Sequence, residues 1–202
     1  MISYNQRYNL TAITEEKEVI YKHFLDSLAG ESLFPKGAKV AEIGSGAGFP
    51  SIPLKIYRDD LQFTLFESTG KKCEFLKTAV RELGLNNVTV ENMRAEDGAK
   101  GKYREQFDVS CARAVARMNT LTEYCLPFVR VGGKMIAYKG NEEEVEEARN
   151  AVKLLGGAIE GCYSYELPEN YGSRVLAVVN KIKETPAKYP RGNGKERSKP
   201  IL

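Results

Sequence analysis

The chain has 202 residues and is 42% hydrophobic, enough to bury one sizeable core but short for two. Its 30 Lys and Arg against 27 Asp and Glu leave a net charge of +3, a mildly basic balance that permits a nucleic-acid partner without requiring one. The four cysteines form no C-x-x-C pair, against zinc or dithiol chemistry, and with no signal-peptide core and no run of roughly 20 apolar residues, a soluble cytoplasmic protein is expected.

In chain order, Val19, Ile20, Phe24, Leu25 and Leu28 recur at helical spacing and predict an N-terminal helix over 14–28 that starts at Thr14. FPKG (34–37) turns the chain into KVAEI (39–43), a buried strand that empties into GSGAG. A helix is predicted over 52–57 and a strand over 63–66. Another helix follows over 71–83, with Phe75, Leu76, Ala79, Val80 and Leu83 inward, then a strand over 88–90. The pattern continues with strand FDVSCA (107–112), a helix near 121–129, a glycine turn at Gly132-Gly133, strand KMIAY (134–138) and an acidic helix over 142–155. Segments 159–166 and 174–180 predict a closing hairpin. The alternation implies an α/β Rossmann-like fold: a seven-stranded, mostly parallel sheet with an antiparallel edge hairpin. One domain over 1–202 is expected, with a helical extension (1–34), the core (35–182) and a tail (183–202).

The last stretch, KIKETPAKYPRGNGKERSKPIL (181–202), holds three prolines, two glycines and seven Lys or Arg against two Glu. It reads as an exposed basic arm, either a solvated end or an RNA-binding strip, on which cofactor binding should not depend.

Between the first strand and its helix lies Glu42-Ile43-Gly44-Ser45-Gly46-Ala47-Gly48-Phe49. Glycines at such a junction allow a tight turn and close approach of backbone to a ligand. A dinucleotide fingerprint would need glycine three residues beyond Gly46, where Phe49 stands. Gly-x-Gly-x-Gly after an acid resembles instead the first motif of the class I methyltransferases, whose methyl donor is S-adenosylmethionine. Phe49-Pro50 makes the helix entrance apolar, better suited to packing beside that cofactor than to cradling phosphate. Glu67, at the end of the second strand about 20 residues beyond the turn, can accept from both ribose hydroxyls; read alone it is a strand-end carboxylate. Arg94-Ala95-Glu96-Asp97 follows the third strand, where this fold binds an adenine ring.

Blocks along nearly the whole chain closely resemble the RsmG (GidB) family of 16S rRNA guanine-N7 methyltransferases. They are YNLTAI (8–13), KHFLDSL (22–28), EIGSGAGFPSIPLKI (42–56), ESTGKKCEFL (67–76), RAE (94–96), ARAVARMNTL (112–121), GGKMIAYKG (132–140) and YPRGNGKERSKPI (189–201). The resemblance implies S-adenosylmethionine as cofactor, 16S rRNA or the small ribosomal subunit as partner, and 7-methylguanosine at rRNA position 527 as product. It carries cofactor roles onto Gly44, Phe49, Ala95, Glu96 and Arg113, to which the residue pattern adds Gly46 and Glu67. Family members usually carry further helical sequence before the YNLTAI block.

Guanine N7 is a lone-pair nucleophile with no proton to lose, so in-line transfer from a sulfonium needs no general base. Alignment alone supplies up to roughly 7–11 kcal/mol in well-oriented systems, and no catalytic acid, base or metal is assigned. SCARAVAR (110–117) lacks the Asp/Asn-Pro-Pro-aromatic motif of amino-methylating enzymes, and neither Cys111 nor Cys125 has the Pro-Cys setting of a cytosine C5 nucleophile. Candidates for holding the RNA through O6 or phosphate are Arg113, Arg117, Lys139, Arg191 and Lys195, with Tyr138 as a base-stacking candidate and His23 as a further substrate-side candidate. His23 alone reads as a structural helix residue; the family block adds a substrate-side role or a pairing with Asp26. A monomer without membrane contact is expected. Two alternatives remain: a small-molecule methyltransferase, which needs an enclosing lid and no basic arm, and a ribosome-assembly factor that binds the cofactor without transfer.

Overall fold

A computed structural model describes residues 4, 5 and 8–202; of the expected extension over 1–34, positions 1–3, 6 and 7 lie outside the described residues. β1 (Lys39–Ile43) is buried from its second position onward, as a parallel strand covered on both faces must be. It pairs in parallel with β2 (Gln62–Glu67) on one side and β4 (Phe107–Arg113) on the other. β3 (Val88–Asn92) extends the sheet beyond β2, and β5 (Val129–Lys139) extends it beyond β4, again in parallel. β7 (Ser173–Lys181) then runs antiparallel between β5 and β6 (Gly157–Glu166), giving the expected seven strands in the order 3-2-1-4-5-7-6. Because the chain leaves β1 in one direction for β2 and crosses to its other side for β4, a crevice opens at the carboxyl ends of these strands.

Alternate residues of each strand point to opposite faces, and each face has its own core. Ile43 and Phe66 pack with Leu121, Cys125 and Phe128 on one side. Val40 and Leu65 pack with Ile52, Leu54, Phe75 and Leu76 on the other. Each fully buried Leu or Phe contributes about 2–3 kcal/mol, so the helices Ser51–Tyr57, Gly70–Glu82 and Met118–Cys125 are held to the sheet mainly by these stripes. Among the described residues no helix is long and apolar enough to cross a membrane.

Several elements differ from the sequence-based expectation. The N-terminal helix is capped by Glu15, not Thr14, and runs as Glu16–Val19, a π-helical stretch Ile20–Leu25, and Asp26–Leu28. A wider π turn rotates the inward face off the 3.6-residue period. His23, Asp26 and Ser27 are therefore buried, while Ile20, Phe24 and Leu25 are 42%, 40% and 39% exposed. Leu83, expected inward, follows the last helical turn and is exposed. Gly132 and Gly133 are not a turn but part of β5, where the pairing with β4 shifts register between Phe107 and Val109. A Cβ on Gly133 would lie 2.4 Å from the Asp108 carbonyl, so this close crossing needs glycine. The acidic helix is interrupted at Ala148 into Glu143–Glu147 and Arg149–Leu154.

The tail is not an exposed arm. Thr185, Tyr189 and Glu196 are buried, and the segment returns across Met118–Cys125. Two of its cations, Lys181 and Arg191, are paired with carboxylates, while Lys183, Lys188, Lys195, Arg197 and Lys199 are exposed. Lys181 Nζ lies 3.0 Å from Glu105 Oε1, Arg104 donates to the Thr185 and Tyr189 carbonyls, and Arg191 joins the fully buried Glu123.

Candidate functional site

A cavity of about 540 Å³ occupies the crevice, within the range of roughly 300–1,000 Å³ usual for a nucleotide-sized ligand. Most of its lining comes from strand ends and the loops that follow them, and the rest from the N-terminal segment, two helices and the tail. Gly44 to Ala47 and Phe49 follow β1, Glu67 and Ser68 close β2, Met93 to Glu96 follow β3, and Arg113 to Val115 close β4. All seven residues assigned to a cofactor from the sequence, Gly44, Gly46, Phe49, Glu67, Ala95, Glu96 and Arg113, thus meet around one space.

The glycine turn is anchored by Gly44 and Ser45, whose amides donate to the Phe66 carbonyl at 2.9 and 3.1 Å. Gly46 has φ +54, a conformation that costs a side chain, and a Cβ there would meet only the Gly44 carbonyl at 3.8 Å. The space it leaves open belongs to the cavity. The Gly46 amide also donates to Glu67 Oε2 at 2.9 Å, and Thr69 N donates to Glu67 Oε1 at 2.7 Å. These two bonds aim the Glu67 carboxylate at the cavity with lone pairs to spare for a diol. Glu42, the acid before the motif, lies beneath the turn, fully buried, with Ser51 N 3.4 Å from its Oε1. Burial pushes its carboxyl up to about 7.

At the opposite lip Arg113 ties three elements together. Its guanidinium donates to Asp26 Oδ2 at 2.7 Å and to the Lys22 carbonyl at 3.0 Å, and lies 3.0 Å from His23 Nδ1 and 5.1 Å from the Phe49 ring centroid. His23 Nδ1 stands 3.0 Å from Arg113, which can only donate, and 3.1 Å from the Lys22 carbonyl, which can only accept, so the two compete for one nitrogen, and Nε2 lies 2.9 Å from Thr11 Oγ1. Burial, then the Arg113 charge, hold His23 down at about 4, so it is neutral near pH 7. Its ring stacks on Phe49 with centroids 4.5 Å apart. The pairing of His23 with Asp26 gives way to Arg113–Asp26, because the π-helical stretch points both side chains at the guanidinium rather than at each other. Ala114 follows with φ +55, a strained conformation for a residue with a Cβ that costs about 1–2 kcal/mol.

Past Arg113 a second cavity of about 310 Å³ is lined by Lys22, His23, Asp26, Ala114, Lys139 and Arg174, among others. Lys139 points here, with Nζ donating to the Ala116 carbonyl at 2.9 Å and paired with Glu144 at 2.6 Å. Tyr138 borders it but is a core residue, its hydroxyl donating to the Ser27 carbonyl at 2.9 Å, so its ring is not free to stack on a base. Arg117, Arg191 and Lys195 line neither cavity: Arg117 is exposed and paired with Glu147, Arg191 is bound to Glu123, and Lys195 is exposed on the tail. Asp26, Arg174, Tyr124, Gly194 and Arg197 border the two cavities without having been singled out. Asp26 had a sequence signal in its spacing from His23, and Gly194 and Arg197 lie in the YPRGNGKERSKPI block.

Comparison with known proteins agrees with this architecture. The family described as "GidB: rRNA small subunit methyltransferase G" matches residues 1–163. Proteins named ribosomal RNA small subunit methyltransferase G from Lactobacillus delbrueckii subsp. bulgaricus and Alkaliphilus metalliredigens are 46% and 47% identical to it; each alignment covers 100% of this chain and 87% and 86% of those proteins. Among solved structures, M. jannaschii TYW2 in complex with AdoMet superposes with a TM-score of 0.65 at 15% identity, covering 85% of this chain and 80% of that one. A SAM-dependent O-methyltransferase from Thermotoga maritima gives 0.62 at 15% identity, over 92% and 72%. At that identity the two structures speak for the fold alone, which is that of the class I methyltransferases.

Proposed function

The chain belongs to the rRNA small subunit methyltransferase G family, and from that premise we propose that it methylates N7 of a guanine in 16S rRNA, at position 527, using S-adenosylmethionine. The observation that carries the reading is the pair of adjoining cavities sharing Arg113, His23 and Ala114, one at the sheet's switch point and one open beside it.

The first cavity fits the cofactor in three respects. Gly46 leaves its space unfilled, the Glu67 carboxylate is held ready for a ribose diol, and Ala95 and Glu96 stand one strand further on, where a purine would lie. When bound, S-adenosylmethionine supplies the activated methyl group. The protein's part is alignment: Phe49, packed against His23 and close to Arg113, is an apolar lining of the first cavity beside the residues that the two cavities share. Arg113, Lys139 and Arg174 offer donors for O6 or phosphate in the second cavity. A guanine methylated at N7 gains positive charge, and Asp26 offsets the Arg113 charge beside it. Neutral His23 has no proton to remove from N7.

The test is methylation of small-subunit rRNA with labelled donor and mapping of the modified base. Label on N7 of guanine 527 supports the proposal; label on another atom overturns the specificity, and binding without transfer favours a non-catalytic assembly factor.

A further inference from the structure

We infer that the C-terminal segment around Gly192–Ser198 is a wall of the cofactor cavity and that Arg197 covers the nucleoside part of the ligand there. The inference rests on the proposed function, and it reverses the expectation that the tail is dispensable for the cofactor.

Gly194 and Arg197 line the first cavity together with Tyr124 and the Ala95–Glu96 pair. Their position is held by buried charge. Glu123, in the Met118–Cys125 helix and 0% exposed, accepts from Arg191 N, Nε and Nη2 at 2.8, 3.0 and 2.7 Å. Glu196, also 0% exposed, accepts from the Gly192 amide, and its own carbonyl accepts from Thr120 Oγ1 at 2.9 Å. Two carboxylates taken out of water carry a desolvation cost that a solvated end would avoid. Here they fold the segment into a hook whose inner side is the cavity. Lys100 braces it from the neighbouring helix, donating to the Arg191 carbonyl at 3.1 Å.

Arg197 differs from Arg191, Glu123 and Glu196 in being exposed. Its Nη2 donates to the Val115 carbonyl at 3.2 Å, next to the strained turn that follows Arg113. The guanidinium thereby bridges the end of β4 and the tail across the mouth of the cavity. A planar cation held over an opening of this kind stacks on a purine or a ribose face, a role that an ammonium does not fill. A nucleoside seated against Glu96 and Tyr124 would be enclosed from the open side by Arg197.

The experiment titrates the wild type, Arg197→Ala, Arg197→Lys and a chain ending at Lys188 with S-adenosylmethionine and with adenosine alone, by calorimetry, alongside thermal unfolding. Arg197→Ala should keep its melting temperature and lose about tenfold in affinity for both ligands, with Arg197→Lys close to it. The shortened chain should lose more. Unchanged adenosine affinity in Arg197→Ala overturns the inference, as does a loss confined to S-adenosylmethionine, which would put Arg197 at the other end of the ligand. If the shortened chain does not fold, the Arg197→Ala result decides. A wild type that binds neither ligand overturns the proposed function instead, a different result from a wild type that binds and a variant that binds equally well.

Discussion

Arg113 and Asp26, 87 positions apart in sequence, form an ion pair at 2.7 Å that ties the end of β4 to the N-terminal helix. The side chains are 14% and 5% exposed, and Tyr165 donates to the other Asp26 oxygen at 2.6 Å, so the carboxylate is fully engaged. Removing one partner leaves the other buried without it, a loss of about 3–5 kcal/mol against at most about 1 kcal/mol for a surface pair. Asp26→Ala and Arg113→Ala should both show the larger loss in urea unfolding, and Arg113→Ala should also lose most of its turnover on rRNA. Losses below 1 kcal/mol in both would contradict this account.

Gly46→Val should abolish S-adenosylmethionine binding. Valine is disfavoured at φ +54, and its side chain would enter the open space beside Glu67. Calorimetry reads the outcome directly, and wild-type affinity in the variant would remove Gly46 from the site.

Stability between pH 4.5 and 6.5 should reflect two opposed groups. His23, the only histidine, sits at about 4 in the folded protein against 6.5 unfolded. Across that interval the unfolded chain binds the extra proton, so His23 makes stability rise with pH. Glu42 sits at about 7 against 4.5 unfolded. There the folded protein keeps the proton, so Glu42 makes stability fall as pH rises from 4.5 through 7. Each slope is at most about 1.4 kcal/mol per pH unit, and they cancel where they overlap. The depressed carboxyls Asp60, Asp108, Glu144 and Glu169 act below this interval. The wild type should therefore be nearly flat from pH 4.5 to 6.5, His23→Gln should lose stability as pH rises, and Glu42→Gln should gain it. Denaturant midpoints at three pH values distinguish these slopes, and identical profiles for all three proteins would refute the assignment.

Tail cations should divide into two kinds. Arg191→Ala strands the buried Glu123 and should lower stability by about 3 kcal/mol or more. Lys195→Ala, at an exposed position, should leave stability within about 0.5 kcal/mol. If it contacts phosphate, the same variant should weaken rRNA binding and reduce the salt slope by about 1. An unchanged slope would return Lys195 to the solvated surface.

Much of the fold was legible because strands and glycine turns leave local marks. KVAEI running into GSGAG, Glu67 at a strand end and RAE after the third strand can be read in short windows, and a parallel sheet brings such strand ends together at its carboxyl edge. The π-helical stretch left no such mark, since apolar spacing around Ile20 to Leu28 fits an ordinary helix equally well. What the sequence by itself determined was the order of strands and helices, the glycine turn after the first strand and the family. Only the tertiary structure decided which charges meet: Arg113 with Asp26, Arg191 with Glu123, and Arg197 at the mouth of the cavity. The physical reason is that hydrophobic period and turn chemistry act over a few residues, whereas a buried ion pair is selected by desolvation and geometry between segments far apart in the chain, where composition shows only polar residues that look solvated.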